Sequence, residues 1–238
     1  MNEEKACIFL VDKPLHWSSF DVVKYLKKIL KTKVGHAGTL DPLATGLLIV
    51  CAGRWTKHAD WFQKLEKKYT GTIVLGANTP THDKESEEDE VFGIAGLNED
   101  LVASTAQSMT GLVEQRAPDF SAKKIQGKKA YELSRKGVKP DIKPHWVEIK
   151  AFEVSNYRIE NDRVLVDFSV ICSKGTYIRS MAHDLGTKLG SGGYLSVLRR
   201  SAIGPYLAEN ALSLEDIKAK YPASPKNTDT NAEIGAVL

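Results

Sequence analysis

Six apolar residues in a row, Leu47-Leu48-Ile49-Val50-Cys51-Ala52, are closed by Gly53 and entered from a glycine-rich loop running from Gly35 to Gly46. Such a run reads as a buried strand, so the loop before it is tied to a core element that can hold it still. Ala6-Cys7-Ile8-Phe9-Leu10-Val11, ending at Asp12-Lys13-Pro14, is a second run of this kind. Tyr69 to Leu75 and Val164 to Ile171 alternate in the manner of half-buried strands. Between them lie helical patterns. Ser18 and Ser19 cap a predicted helix whose Val22, Val23, Leu26, Ile29 and Leu30 share one face, leaving Lys24, Lys27, Lys28 and Lys31 available to phosphates. Ile178, Met181, Ala182, Leu185 and Leu189 mark an amphipathic helix opening directly after Ser173-Lys174-Gly175, a start suited to an anionic group. The interleaving lacks the strict βαβ alternation and glycine signature of a doubly wound sheet, so an α+β class with a large sheet is expected.

At 238 residues the chain can form one large domain or two small ones. A single domain over residues 1–222 is expected, with the polar stretch in 223–238 as a flexible tail. No apolar run approaches the roughly 20 residues that span a bilayer, and the start lacks the order of a signal peptide. A cytoplasmic protein without membrane contact follows. Cys7, Cys51 and Cys172 are far apart and form no C-x-x-C pair, so they read as buried reduced thiols rather than a disulfide framework or zinc site. A net charge of +3 is too small to argue for nucleic acid. Its distribution says more. Residues 121–143 hold eight basic residues against two acids, whereas residues 83–90 hold six acids against Lys84. Such segregation suits either a polyanion-binding face with acidic loops elsewhere or two solvated surface stretches.

Within Gly35-His36-Ala37-Gly38-Thr39-Leu40-Asp41-Pro42, the glycines allow unusual backbone angles and close approach of a ligand to the acid Asp41. For a lone acid a structural turn is the default reading. A nucleophilic carboxylate would need a cationic partner to stay ionised, and Arg179 is a candidate.

The loop, with Leu43-Ala44-Thr45-Gly46-Leu47-Leu48 after it, resembles the hallmark of the TruB-type tRNA pseudouridine synthases. So do Asp12-Lys13-Pro14 with Ser18-Ser19, and Lys67-Lys68-Tyr69. Gly76 with Thr79-x-Thr81-x-Asp83 also matches, as does Gln115-x-x-Pro118-x-Phe120-Ser121-Ala122-x-Lys124. Tyr131-Glu132 with Arg135-x-Gly137, Cys172 to Ser180, and Leu198-Arg199-Arg200 complete the set in order. The resemblance implies the pseudouridine synthase fold, a single catalytic domain whose large mixed, mostly antiparallel sheet is flanked by helices. It implies isomerisation of the T-loop uridine of tRNA at position 55, without cofactor or metal. Asp41 would be the nucleophile on a flipped-out base, Tyr69 its stacking platform, Arg179 the partner of Asp41, Leu198 a pocket wall, and His36 a support for the everted loop. Asp83, Lys123, Lys124, Lys128, Lys129 and Lys174 join the expected RNA-binding set. This chemistry is coherent, since a carboxylate beside an anomeric carbon serves wherever a glycosidic bond breaks without metal, and the base must leave its stack first.

The chain departs from the family pattern in two places. His16-Trp17 stands where many relatives have glycine, so that turn must adopt a different backbone or use Trp17 for packing. Only Ser201 to Leu238 follows Arg200, where many relatives carry a PUA-type RNA-binding domain, so the grip on RNA is expected from the catalytic domain. A monomer acting on the T-arm without an obligate protein partner is expected. The competing readings are an RNA-binding or RNA-folding protein, a guide-dependent pseudouridine synthase, and a nucleoside hydrolase.

Overall fold

The computed structural model describes residues 6–125 and 127–221. The predicted tail, 223–238, lies outside the described residues. Contacts divide the chain into two compact units, one built from residues up to Lys67 together with those from Arg199 onward, the other from Lys68–Leu198.

The first unit opens with β1 (Cys7–Lys13), α1 (Ser19–Leu30), β2 (Val34–His36), β3 (Ala44–Ala52) and α2 (Ala59–Lys64). In the second unit lie β4 (Lys67–Leu75), β5 (Ala77–Asn78), β6 (Glu90–Val91), α3 (Glu99–Ser108), β7 (Gly111–Gln115), β8 (Lys124–Ile125), β9 (Lys128–Lys129) and α4 (Ala130–Ser134). The long antiparallel pair β10 (His145–Glu160) and β11 (Arg163–Cys172) follows, then α5 (Ile178–Leu189). Strand β12 (Gly193–Ile203) starts in the second unit and ends in the first, which β13 (Tyr206–Leu207) and α6 (Leu214–Lys220) complete. The class is α+β, with a large, mostly antiparallel sheet, as expected.

In the first unit the strands run in the order β1–β3–β12, with β2 on β3 and β13 on β12. β1 pairs antiparallel with β3 along its whole length, from Cys7 opposite Ala52 to Lys13 opposite Gly46. The apolar run of β3 divides its side chains between two cores. Leu48, Val50 and Ala52 join Phe9, Val11, Val22, Leu26 and Leu30, whereas Leu47, Ile49 and Cys51 join Phe62 and Ile203. A strand covered on both faces cannot slip register without exposing one apolar set, which anchors the loop before it. Cys51 and Cys172 are buried, while Cys7 is only half-buried.

α1 begins where its sequence predicts, because Ser18 and Asp21 form a reciprocal capping box. Both alternatives for the turn before it are realised. His16 takes a left-handed backbone at φ 65°, and Trp17 packs edge-on against Tyr25 at 5.8 Å.

The second unit has the strand order β12–β4–β11–β10–β7. Gly71 in β4 is required there, since a Cβ would lie 1.9 Å from the Val197 carbonyl oxygen. α5 starts at Ile178, later than expected. The Gln115 side-chain amide accepts from Tyr177 N at 2.8 Å and donates to Tyr177 O at 3.0 Å, holding that residue extended so that the helix starts after it.

Candidate active site

Asp41 occupies a loop whose backbone is held on both sides of it. On the N-terminal side, Ser19, buried at the start of α1, accepts a hydrogen bond from Leu40 N at 2.8 Å and donates to Leu40 O at 3.1 Å. On the C-terminal side, the Pro42 carbonyl accepts from His16 N at 2.8 Å and from Lys13 Nζ at 3.5 Å, and Asp41's own carbonyl accepts from Ala44 N at 3.0 Å. These groups bind backbone, so they fix the chain on both sides of Asp41.

Two fully buried cations frame the loop. Lys13 is 0% exposed and also donates to the carbonyls of Pro14 and Trp17. Arg200, 1% exposed, donates from Nε to Leu47 O at 2.7 Å and from its terminal nitrogens to Gly38 O at 3.2 Å and Thr39 O at 3.4 Å. The backbone of β12 at this residue presses on the loop as well. A Cβ on Gly46, which sits at φ +98°, would lie 2.4 Å from Arg200 O, so glycine is obligatory there.

Burial lowers the Lys13 ammonium from 10.5 to about 8; the Asp41 carboxylate pulls it upward and Arg200 pushes it further down. Between about pH 8 and 10.5 the unfolded chain therefore binds more protons at this group than the folded one, and its contribution to stability rises with pH across that window. The stability gap between the wild type and K13M is expected to widen in favour of the wild type as pH rises from 8 to 10. Denaturant unfolding at several pH values measures it, and a pH-independent gap would show an ordinary ammonium. His36 is held in β2 opposite Val50, and burial, with Arg200 nearby, lowers its pKa. Its Nδ1 is buried without a hydrogen-bond partner among the described residues.

In the second unit, Arg179 and Asp83 come together. The Arg179 Nε lies 3.5 Å from an Asp83 carboxylate oxygen, and its terminal nitrogens donate to Thr81 O and Phe120 O, each at 3.0 Å. Asp83, expected among the RNA-binding residues, is 5% exposed; its Oδ1 accepts from the Thr81 hydroxyl at 2.6 Å and Glu85 N at 2.9 Å. The acidic stretch from Asp83 is thus tied to its own chain. Glu88 pairs with Arg163 at 2.7 Å and accepts from the Tyr194 hydroxyl at 3.0 Å, and Glu85 lies 3.4 Å from Arg135. Tyr69 in β4 and Leu198 in β12 are both buried. Lys124 and Lys128 are exposed on the β8–β9 hairpin, where Lys124 pairs with Lys129. Lys123 spends its ammonium on the Lys143 carbonyl at 3.0 Å, and Lys174 is exposed.

The family model for the N-terminal domain of TruB pseudouridylate synthases matches residues 27–178, a span that contains Asp41, Tyr69 and Asp83. The chain belongs to the TruB family of pseudouridylate synthases. A second model, the C-terminal domain of tRNA pseudouridylate synthase B, matches residues 179–236, which include Arg179, Leu198 and Arg200. The tRNA pseudouridine synthase B of Flavobacterium johnsoniae is 44% identical, over 87% of this chain and 92% of its own. That of Chlorobaculum tepidum is also 44% identical, over 90% of each chain. Among solved structures, a chain of a Cbf5–Nop10–Gar1 complex shares 28% identity at TM-score 0.67, covering 90% of this chain. A chain of an H/ACA RNP bound to a substrate RNA containing 2′-deoxyuridine shares 27% at TM-score 0.64. This chain spans about half the length of those two. As a TruB-family member it is an isomerase acting on tRNA uridine.

Lys13 and Arg200 stand inside segments that carried the family resemblance, yet their part in the loop is not visible from spacing. Their neighbours in sequence point the other way. Asp12 and Arg199 pair at 2.8 Å near the surface, with side chains 36% and 39% exposed. The alternation of a strand is the signal that separates the buried member of each pair from the exposed one.

Proposed function

We propose that this synthase isomerises the T-loop uridine of tRNA at position 55, with the Asp41 carboxylate as nucleophile. The observation that carries the reading is the clamp on Leu40 and Pro42, which fixes the residue between them through backbone groups. A preorganised anion of this kind needs no reorganisation when the N1–C1′ bond breaks. The detached uracil turns and rejoins the ribose carbon through its C5, and the C5 proton leaves to solvent. In the same reading Tyr69 stacks on the everted base, Leu198 lines its pocket, His36 supports the loop, and Arg179 supplies the counter-charge to the nucleophile, itself held by Asp83.

The test uses a tRNA transcript tritiated at uracil C5, with the purified chain alone. Stoichiometric tritium release from position 55 supports both the site and action without guide or partner protein. Release of free uracil would instead mark a hydrolase, and binding without turnover would mark an RNA-folding protein. The likeness to a chain of an H/ACA RNP favours one second reading, guide-dependent action, which predicts no turnover on the bare transcript.

The exposed lysines give a separate expectation. If Lys124 and Lys128 meet phosphates, replacing either by Ala lowers the slope of log affinity against log salt by about one unit. The Lys123 ammonium is already engaged by the Lys143 carbonyl, so K123A should change the slope less. Equal slopes for all three variants and the wild type would place the RNA elsewhere.

A further inference from the structure

His82 and His183 lie face to face in the second unit, ring centroids 4.0 Å apart and planes within 4°. His82 sits in the chain between Thr81 and Asp83, the residues that supply Arg179 with a carbonyl at 3.0 Å and a carboxylate at 3.5 Å. His183 follows Arg179 by four residues on α5, so both side chains project from the same face of that helix. The stack therefore spans the joint that holds Arg179. The backbone of His82 is fixed at φ 59°, its amide donating to Thr79 O at 3.1 Å and its carbonyl accepting from Leu195 N at 3.0 Å. A left-handed backbone at a non-glycine residue persists only where surrounding contacts enforce it. Both Nδ1 atoms are buried without a hydrogen-bond partner among the described residues, and the two elements meet here through the faces of the rings.

We propose that the His82–His183 stack is a positioning device for Arg179, one that works only while the His82 ring is uncharged and that releases the loop of residues 79–86 on acidification. The proposal rests on the reading of Arg179 as the counter-charge to the nucleophile.

The charges around the stack give the direction of the response. Burial, then His183 and Arg179 from α5 and Arg116 from the segment after β7, push the His82 ring from 6.5 down to about 3. Acids are close but committed. Asp83 serves Arg179 and Thr81, Asp119 pairs with Arg116 at 2.7 Å, and burial raises the pKa of Asp184. Lys84, next in the loop, adds another positive charge. The folded joint consequently takes up no proton at His82 between pH 5 and 7, whereas an opened loop does so below the ordinary imidazole value. Opening is favoured roughly tenfold for each pH unit below about 6.5.

The experiment combines hydrogen exchange of residues 79–86 with single-turnover rates on tRNA, from pH 5.5 to 7.5. In the wild type, exchange in this segment should accelerate roughly tenfold per pH unit below 6.5, beyond the intrinsic trend. H183A, which removes the stack, should exchange faster at pH 7.5 and turn over roughly ten- to a hundredfold more slowly with unchanged tRNA affinity. H183F restores a ring and should recover both. H82N, which tolerates the left-handed backbone and takes no proton, should show no acid acceleration, and it carries the test even if H183A does not fold. An H183A variant with wild-type exchange and turnover, or an H82N variant that keeps the acid acceleration, overturns the proposal. R179K is measured alongside. Full turnover by R179K refutes the counter-charge reading, whereas loss of turnover in R179K with inert histidine variants refutes the stack alone.

Discussion

Replacing Asp41 by Asn is expected to slow tritium release by roughly 10⁴-fold while leaving tRNA affinity near that of the wild type. The amide matches the carboxylate in shape but is not a nucleophile, so chemistry is lost selectively. The backbone clamp on the loop is kept in this variant. Ser19, His16 and Lys13 hold Leu40 and Pro42 through backbone groups, and the intraloop hydrogen bond from Ala44 goes to the Asp41 carbonyl. None of these contacts involves the carboxylate. Single-turnover assays with D41N at saturating enzyme, beside a filter-binding isotherm, separate the two effects. A variant with substantial turnover would remove Asp41 from the role of nucleophile, and one with lost binding would make it a recognition group.

Arg200→Met should cost about 3–5 kcal/mol of stability, because three backbone carbonyls lose a buried charged donor. For a chain of this size that corresponds to a fall in midpoint temperature of roughly 10 °C. Turnover should fall as well in the fraction that remains folded, since Gly38, Thr39 and Leu47 flank the residues that place Asp41. The neighbouring Arg199→Met is the internal control. Its guanidinium pairs with Asp12 where both side chains are more than a third exposed, so its loss should cost no more than about 1 kcal/mol. Thermal melts of the two variants side by side decide the matter, and equal melting points would show that the Arg200 hydrogen bonds do not hold the loop.

Much of the fold is legible from residue types. Ser18 with Asp21 announces the start of α1, the apolar run of β3 announces a strand covered on both faces, and the alternation of β11 appears in its burial residue by residue. These features are local, so short-range sequence rules reach them. The start of α5 is not, because it depends on a glutamine 62 residues earlier that captures both backbone groups of Tyr177. The acidic stretch near Asp83 shows the same boundary. Its composition suggests an acidic loop or a solvated stretch, and most of it is exposed, yet its carboxylates at positions 83, 85 and 88 are directed at Arg179, Arg135 and Arg163, each brought from far along the chain.

The candidate site divides along the same line. By itself the sequence determined that a glycine-rich loop with one acid runs directly into a core strand, because glycine content and uninterrupted hydrophobicity are properties of adjacent residues. Only the tertiary structure decided that Lys13 and Arg200 are the buried cations beneath that loop, that Asp83 belongs to Arg179, and that His82 rests on His183. Strand alternation marks which member of each charged pair turns inward, but the acceptors that converge on it come from distant segments, and neither its charge nor its spacing names them.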